Sequence, residues 1–315
     1  MKNPKPFVVS LGLFLSAILL SPACRRPEKW RSSTLLFFDT LCEVKIFCSP
    51  RAEQNALEHL QNLFTKIERL FSPDSQERDH PLVKELFLRA LEVYRASDGC
   101  FDISVAPLSR LWGFRDHSHK IPPPQKVQEA LRHVGLDKAA LKNGHLKLPE
   151  KMELDWGGIA KGYGIDLAVR ALQDLGIEHG FLNAGGDLFC WGNNPENQSW
   201  KIGIKHPRKG GIIGMVPLRN TAAATTGDYQ RFFIQDGTRY HHVFDPKTGY
   251  PSRGWQSITV FGPETLICDA LSTALFVSRD QEGLLQKYPQ YGAVLVDEKG
   301  DISLLGKIFP FKSVS

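Results

Sequence analysis

Beyond its first two dozen residues the chain has no apolar run long enough to cross a bilayer as a helix, which takes about 20 residues. A polytopic membrane protein is therefore excluded. The sequence has no internal repeat and no low-complexity tract, which excludes solenoid, collagen-like and coiled-coil architectures. An excess of one charge is also lacking. Lys and Arg total 39 against 34 Asp and Glu, a net +5 over 315 residues. That is too mild for a nucleic-acid binder, which carries a clustered basic face. The cysteines are Cys24, Cys42, Cys48, Cys100, Cys190 and Cys268, and none forms a CxxC pair. A zinc ribbon and a thioredoxin motif are thereby excluded. Without Cys24 the number is odd, which argues against a full disulfide framework. Cys42 and Cys48 lie six apart on an extended stretch, about 20 Å, too far to bridge. The cysteines read as small buried hydrophobes. What remains is ordinary globular composition, 42% hydrophobic and 23% charged, in a length that suits one large domain or two smaller ones.

Residues 1–23 read as an export signal. Lys2 and Lys5 precede the 14-residue apolar run from Phe7 to Leu20, the pattern of a secretory leader. Ser21-Pro22-Ala23-Cys24 is similar to the lipobox of bacterial lipoproteins, with Ser21 where Leu is usual; an ordinary signal peptide is the alternative. Cleavage before Cys24 leaves 292 residues with a net charge of +3. The expected location is the periplasmic side of the inner membrane, anchored through Cys24. Residues 24–34 read as a lipidated tether and residues 35–315 as one folded domain.

Along that domain the pattern predicts a strand over 35–47 and amphipathic helices over 52–70 and 82–96, with a polar loop over 71–81 between them. A Pro-rich basic loop covers 115–127. Helices are predicted at 124–134, 165–175 and 266–277, strands and turns alternate from 180 to 260, and a hairpin closes the chain near residues 298–301. Interspersed helices and strands without strict βαβ alternation favour an α+β fold.

Four clusters carry chemistry. Asp155-Trp156-Gly157-Gly158-Ile159-Ala160-Lys161-Gly162-Tyr163-Gly164-Ile165-Asp166 places a Gly pair and a Lys at the entrance to a helix, where backbone N–H groups can meet an anion; it is neither a Walker A nor a GxGxxG motif. Asn183-Ala184-Gly185-Gly186-Asp187 follows an apolar strand, with Asp187 free to bind a hydroxyl or a cation. The third cluster holds Thr225-Thr226-Gly227-Asp228 and then His241-His242 with Asp245-Pro246. Adjacent His residues on a strand face opposite ways, so one is a lone base or hydrogen-bond donor and the other faces away. Cys268-Asp269-Ala270-Leu271-Ser272-Thr273 puts a carboxylate and a hydroxyl four apart on one helix face, hard-oxygen ligands suited to Mg²⁺ shared with substrate phosphates. Each cluster alone also reads as a turn or a helix start.

In their order the clusters resemble the ApbE family, the FAD:protein FMN transferases. The resemblance runs from about Phe37 to Val277. It rests on Gly99-Cys100-Phe101-Asp102 with Pro107-Leu108 and Leu111-Trp112-Gly113-Phe114, then Gly157-Gly158-Ile159-Ala160-Lys161-Gly162, Asn183-Ala184-Gly185-Gly186-Asp187 and Thr225-Thr226-Gly227-Asp228. His242-Val243-Phe244-Asp245-Pro246-Lys247-Thr248-Gly249-Tyr250-Pro251 and Asp269-Ala270-Leu271-Ser272-Thr273 complete it. Phe38-Asp39-Thr40 stands where Gly-Thr is common, Thr226 stands for the usual Ser, and the 71–81 loop is short and lacks its Tyr.

The resemblance implies an ApbE-like, T-fold-related arrangement of mixed sheets with flanking helices and FAD in a central cleft. It implies Mg²⁺-dependent transfer of FMN from FAD to a Thr or Ser hydroxyl of a target protein, with release of AMP. Asp269, Thr273 and the Ala160 carbonyl become the metal ligands, and His242 the general base, with Asp245 either orienting it or only its turn neighbour. Phe101, Asp102, Gly158, Lys161, Asn183, Gly185, Gly186, Asp187, Thr225 and Asp228 become the cofactor contacts. The implied partners are the flavin-accepting subunit of a Na⁺-translocating NADH:quinone reductase or an Rnf-type complex, and a membrane surface. A Mg²⁺-dependent FAD pyrophosphatase and a periplasmic FAD carrier are the alternatives.

Overall fold

The computed structural model describes residues 27–307 and 309–314. The leader and the lipobox with Cys24 lie outside them. Lys29–Phe37 (β1) and Thr40–Cys48 (β2) form an antiparallel hairpin. The stretch read as one strand is thus two, and the supposed tether is already strand from Lys29 onward. The chain reverses at Phe38-Asp39, both left-handed at φ 46° and 54°, the geometry of a two-residue hairpin turn. Neither residue advertises such a turn, so the apolar run hides it. The Phe38 N–H is held by the Glu68 carboxylate at 2.5 Å.

Two helices follow. In Pro50–Phe71 (α1) the Ser49 hydroxyl caps the start by accepting from the Ala52 N–H. Its Ala56, Leu60, Phe64 and Ile67 form one buried face at the three-to-four spacing of a helix. Pro81–Ala96 (α2) buries Val83, Leu86, Phe87 and Ala90. Short helices Ala106–Leu111 (α3) and Pro124–Leu131 (α4) come next, the latter stopping three residues before the predicted end. A small hairpin, Ala140–Lys142 (β3) and His145–Lys147 (β4), precedes the helix Ala160–Asp174 (α5). That helix starts five residues before the predicted position, because Gly162 and Gly164 lower its propensity while burial sustains it.

The chain then runs through Gly180–Ala184 (β5), Asp187–Trp191 (β6), Trp200–Lys205 (β7), Ile212–Leu218 (β8), Thr221–Gly227 (β9), Phe232–Gln235 (β10), Thr238–His241 (β11) and Trp255–Gly262 (β12). Thr265–Val277 (α6), Gln281–Gln286 (α7), Gly292–Asp297 (β13), Ile302–Gly306 (β14) and Lys312–Ser313 (β15) finish it. The main sheet has eight strands in the order β1-β2-β5-β6-β9-β12-β13-β14, and its neighbours pair antiparallel. The α+β reading holds.

Helices α1, α2, α5 and α6 cover one face of this sheet and enclose the largest core. A three-stranded sheet, β15-β8-β7, covers part of the other. A third apolar cluster gathers Trp112, Phe114 and Phe244 under the β10–β11 ribbon. Helix α6 is buried almost all round, including Asp269 and Ser272, as expected of a helix apolar on every side.

Helices α5 and α6 touch at backbone distance. A Cβ on Gly162 would lie 2.6 Å from the Thr265 carbonyl oxygen and 2.9 Å from the Leu266 Cα, so only glycine fits. Asp166 of α5 completes the joint by accepting from the Thr265 and Leu266 N–H groups, both at 2.9 Å, which caps α6 from a neighbouring helix. Gly162→Ala must push the two helices apart. We expect it to cost about 1–3 kcal/mol, seen as a lower urea midpoint with an unchanged m-value; an unaltered midpoint would refute the close contact.

Candidate active site

The site lies at one end of the central strands of the main sheet, where the β1–β2 turn, the β5–β6 turn and the end of β9 come together. Gly185 and Gly186 make the β5–β6 turn at φ 66° and 106°, and the Asn183 carboxamide oxygen accepts from the Gly186 N–H at 3.0 Å. A Cβ on Gly185 would sit 2.7 Å from the Thr40 side chain, so this turn is pressed against the start of β2. Asn183 is therefore spent on its own turn.

Asp187 opens β6 on the helix-facing side and is 3% exposed at its side chain. The Lys161 ammonium, in the first turn of α5, forms an ion pair with it. Asp269 projects from the middle of α6, and its carboxylate accepts from the Gly162 N–H at 3.2 Å. Burial, with the Asp187 charge second, pushes its pKa well above the usual carboxylate range, against the opposing pull of Lys161. Burial disfavours the charged form of Lys161, but Asp187 and Asp269 reverse this and hold the ammonium charged. Thr273 lies one helical turn beyond Asp269. Its hydroxyl shares a 3.1 Å hydrogen bond with that of Thr226, which also meets the Ser272 hydroxyl at 2.7 Å. Gly158 brings the preceding loop down to this point: a Cβ there would be 3.4 Å from the Phe101 ring and 3.5 Å from the Thr273 hydroxyl. Ala160 opens α5 beside Lys161.

The two histidines part as alternation requires. His241 is buried, edge-on to Phe276, and its Nε2 meets the Ser252 carbonyl at 2.7 Å. His242 turns toward the cleft. Its Nδ1 lies 3.2 Å from the Arg231 carbonyl oxygen, which can only accept, so Nδ1 carries the proton and Nε2 keeps a free lone pair. Burial first, then the Arg231 and His241 charges, lowers the His242 pKa to about 3. The imidazole is neutral at physiological pH. Asp245 does not orient it: its carboxylate accepts from the Lys247 N–H at 2.8 Å and shapes the following turn.

Several predicted contacts lie elsewhere. Thr225 points to the opposite face of β9 and pairs with Thr259 at 2.8 Å; the residue facing the site is its neighbour Thr226. Asp102 is buried under the Ser104 N–H and hydroxyl and the Leu136 N–H, and works as a loop brace. Asp228 is gripped by Arg208 through two bonds of 2.7 and 2.6 Å, which ties the β7–β8 loop to the end of β9. The sequence reading placed Thr226 and Asp166 in its clusters without giving either a role, and it did not single out Arg208 or Arg231. Alternation with the buried Ala222 and Ala224 along β9 identifies Thr226; nothing local marks the arginines, which act from the β7–β8 and β9–β10 loops. A small groove lined by Ser72, Ser75, Glu77, Arg78, Leu148 and Trp156 opens beside the short loop that lacks its Tyr.

Among the described residues no group of three or more His, Cys, Asp or Glu side chains forms a metal cage. The Asp269 carboxylate and Thr273 hydroxyl are hard-oxygen donors on one helix face. A buried place already built around positive charge fits Mg²⁺ held jointly with phosphate oxygens. The His242 geometry can be checked by long-range ¹H–¹⁵N NMR. We expect an Nδ1-protonated neutral ring from pH 8 down to pH 5, because the folded pKa is depressed and protonation comes only near it. A transition near the ordinary imidazole value of about 6.5 would overturn the assignment.

Comparison with known proteins places the chain in a family. The profile of the ApbE family matches residues 38–295. A Haemophilus influenzae protein named FAD:protein FMN transferase is 33% identical over 212 residues, which cover 64% of this chain and 61% of that protein's length. A Treponema pallidum protein of the same name is 29% identical over 299 residues, 83% of each chain. The crystal structure of the ApbE protein of Thermotoga maritima superposes with a TM-score of 0.80 at 30% identity, covering 87% of this chain and 96% of that one. The chain belongs to the ApbE family.

Proposed function

We propose that the protein is an FAD:protein FMN transferase, moving FMN from FAD to a Thr or Ser hydroxyl of a target protein with Mg²⁺ and releasing AMP. The observation that carries this reading is a hard-oxygen pair on one face of α6, buried Asp269 and half-buried Thr273, beside Lys161, whose charge also reaches a neutral imidazole with a free Nε2. The names of the relatives support the chemistry.

Bound Mg²⁺ would neutralise charge growing on the phosphoanhydride oxygens. Asp269 and Thr273 would hold it, with the Ala160 carbonyl at the start of α5. The acceptor hydroxyl attacks the FMN-side phosphorus, the anhydride P–O bond breaks, and AMP leaves. His242 Nε2 takes the hydroxyl proton. A base with so low a pKa is weak, but it is unprotonated over the whole working range and becomes stronger as phosphate charge collects beside it. Gly158 and Phe101 would shape the wall beside the metal, and the basic α5 entrance would face the pyrophosphate. A water in place of the hydroxyl would make the same site an FAD pyrophosphatase, and a carrier would need neither His242 nor the metal pair. We assign the acceptor to an extracytoplasmic domain of a Na⁺-translocating NADH:quinone reductase or Rnf-type complex. The export leader and Cys24 motif support that location.

The test is the intact mass of a Thr-bearing acceptor domain after incubation with FAD and Mg²⁺. A gain of one FMN, absent in EDTA and in Asp269→Ala, is expected. Free FMN and AMP beside unmodified acceptor would replace transferase by hydrolase. His242→Ala should keep FAD while losing transfer by a factor of about 10²–10⁴. The pH dependence of metal affinity has a definite sign. Asp269 is raised, so in the metal-free protein it holds its proton to higher pH than usual. Mg²⁺ must displace that proton, and affinity should rise with pH through the neutral range. Calorimetry at pH 6 and pH 8 in buffers of different ionisation heat measures both the affinity and the released proton; a pH-independent affinity would count against Asp269 as the ligand.

A further inference from the structure

Two buried carboxylates, Asp187 and Asp269, face the same side of the cleft, and one ammonium stands with them. Asp187 is fixed at the first residue of β6 and Asp269 in the middle of α6, where the Gly162 N–H holds it. Neither can leave without moving a central strand or a central helix. Lys161 differs. Its side chain is 26% exposed against 3% for Asp187, and it rides on a flexible four-carbon stem. Among the described residues Asp187 has no other Lys or Arg partner, and Asp269 has none within ion-pair distance. Lys161 is paired with Asp187 alone among the described residues, so a metal that ionises Asp269 would meet two carboxylates and one ammonium already committed, an excess of negative charge that a single Lys does not offset in a poorly solvated place.

We infer that Lys161 is a placeholder cation, holding the carboxylates together until a divalent ion arrives, and that ion entry releases its ammonium outward to the anionic phosphates of the substrate. This rests on the metal site of the proposed function. The exchange conserves sense at each step. With the Asp269 proton and the ammonium out and the divalent cation in, the two carboxylates are neutralised, and the freed ammonium then meets an anion that the metal alone does not neutralise. The same residue thus serves the empty site and the loaded site in two positions. Metal and substrate binding become coupled, because the metal-loaded protein offers the phosphates a cation that the empty protein withholds. A permanent structural ion pair would do none of this.

The experiment uses the full chain without FAD and takes Mn²⁺ as the probe, read by the EPR signal of the free ion. Removing a competing cation should strengthen binding. Lys161→Met is expected to hold Mn²⁺ about tenfold more tightly than the natural protein, a 1.4 kcal/mol effect. In EDTA it should melt at a lower temperature, and Mn²⁺ should restore more of the loss than it gives the natural protein. Asp269→Asn should abolish tight Mn²⁺ binding in both backgrounds. Equal or weaker Mn²⁺ binding by Lys161→Met, or an unchanged melting temperature in EDTA, would overturn the exchange. If the variant does not fold, the natural protein gives the answer. Amine acetylation followed by peptide mapping should label Lys161 faster with Mg²⁺ than with EDTA, and equal labelling would overturn the exchange. An unmodified acceptor in the transfer assay, alongside normal Mn²⁺ exchange, sinks the transferase reading and leaves this one standing. Transfer without exchange sinks this one alone.

Discussion

The joint between α5 and α6 is the constraint on which the rest of the structure depends. Three contacts make it: the bare backbone of Gly162 against the Thr265 carbonyl, the Asp166 carboxylate on the first N–H groups of α6, and the Gly162 N–H on Asp269. The first sets the helix separation. The second satisfies donors that a buried helix start would otherwise leave orphaned. The third carries the joint into the site, since it orients the carboxylate that the chemistry uses. Lys161 and Asp166 sit on either side of Gly162, so one short stretch of α5 supplies the packing, the cap and the cation.

Electrostatics in the cleft follow from that packing. Asp187 and Asp269 are buried because β6 and α6 are buried, and burial works against both charges. The protein answers with one Lys and several hydroxyls rather than with a second carboxylate cage. Thr226, Ser272 and Thr273 link β9 to α6 through shared hydroxyl contacts, which hold the Thr273 oxygen in place and keep it polar. His242 is treated oppositely. Its neutral form is favoured by burial and by nearby positive charge, and the Arg231 carbonyl chooses its tautomer. A basic surround thus keeps the base unprotonated.

Much of this was legible in the sequence, and the reasons for the failures are physical. Helices α1 and α2 were readable because their apolar spacing is regular and their caps are local, and α6 because its run is apolar nearly throughout and free of Gly and Pro. The order of motifs pointed to the residues that the fold gathers: Gly158, Lys161, Asp187, His242, Asp269 and Thr273. Errors came where a side chain's direction or a long-range partner decides the matter. Thr225 and Thr226 differ only in which face of β9 they take, and the run of Ala222 and Ala224 carried that information. Asn183 and Asp102 look like ligands by type, but each satisfies nearby backbone N–H groups first. The Phe38-Asp39 reversal lacks the residues that usually announce one. Arg208 and Asp228 are 20 residues apart, and no local pattern links them.

The α5–α6 joint also has a meaning in time. Asp166 meets the start of α6 across 99 and 100 positions of sequence, and Gly162 meets Asp269 across 107. The intervening chain forms the middle of the main sheet. Contacts of such separation pay a large loop-closure cost before they return anything, so they belong to the last stages of folding. Until α6 docks, α5 presents a bare glycine face, and Lys161 is apart from Asp269 and Thr273. A chain emerging residue by residue therefore carries no cation site while β5 through β12 assemble. Competence arrives in one step, at the docking of a single helix.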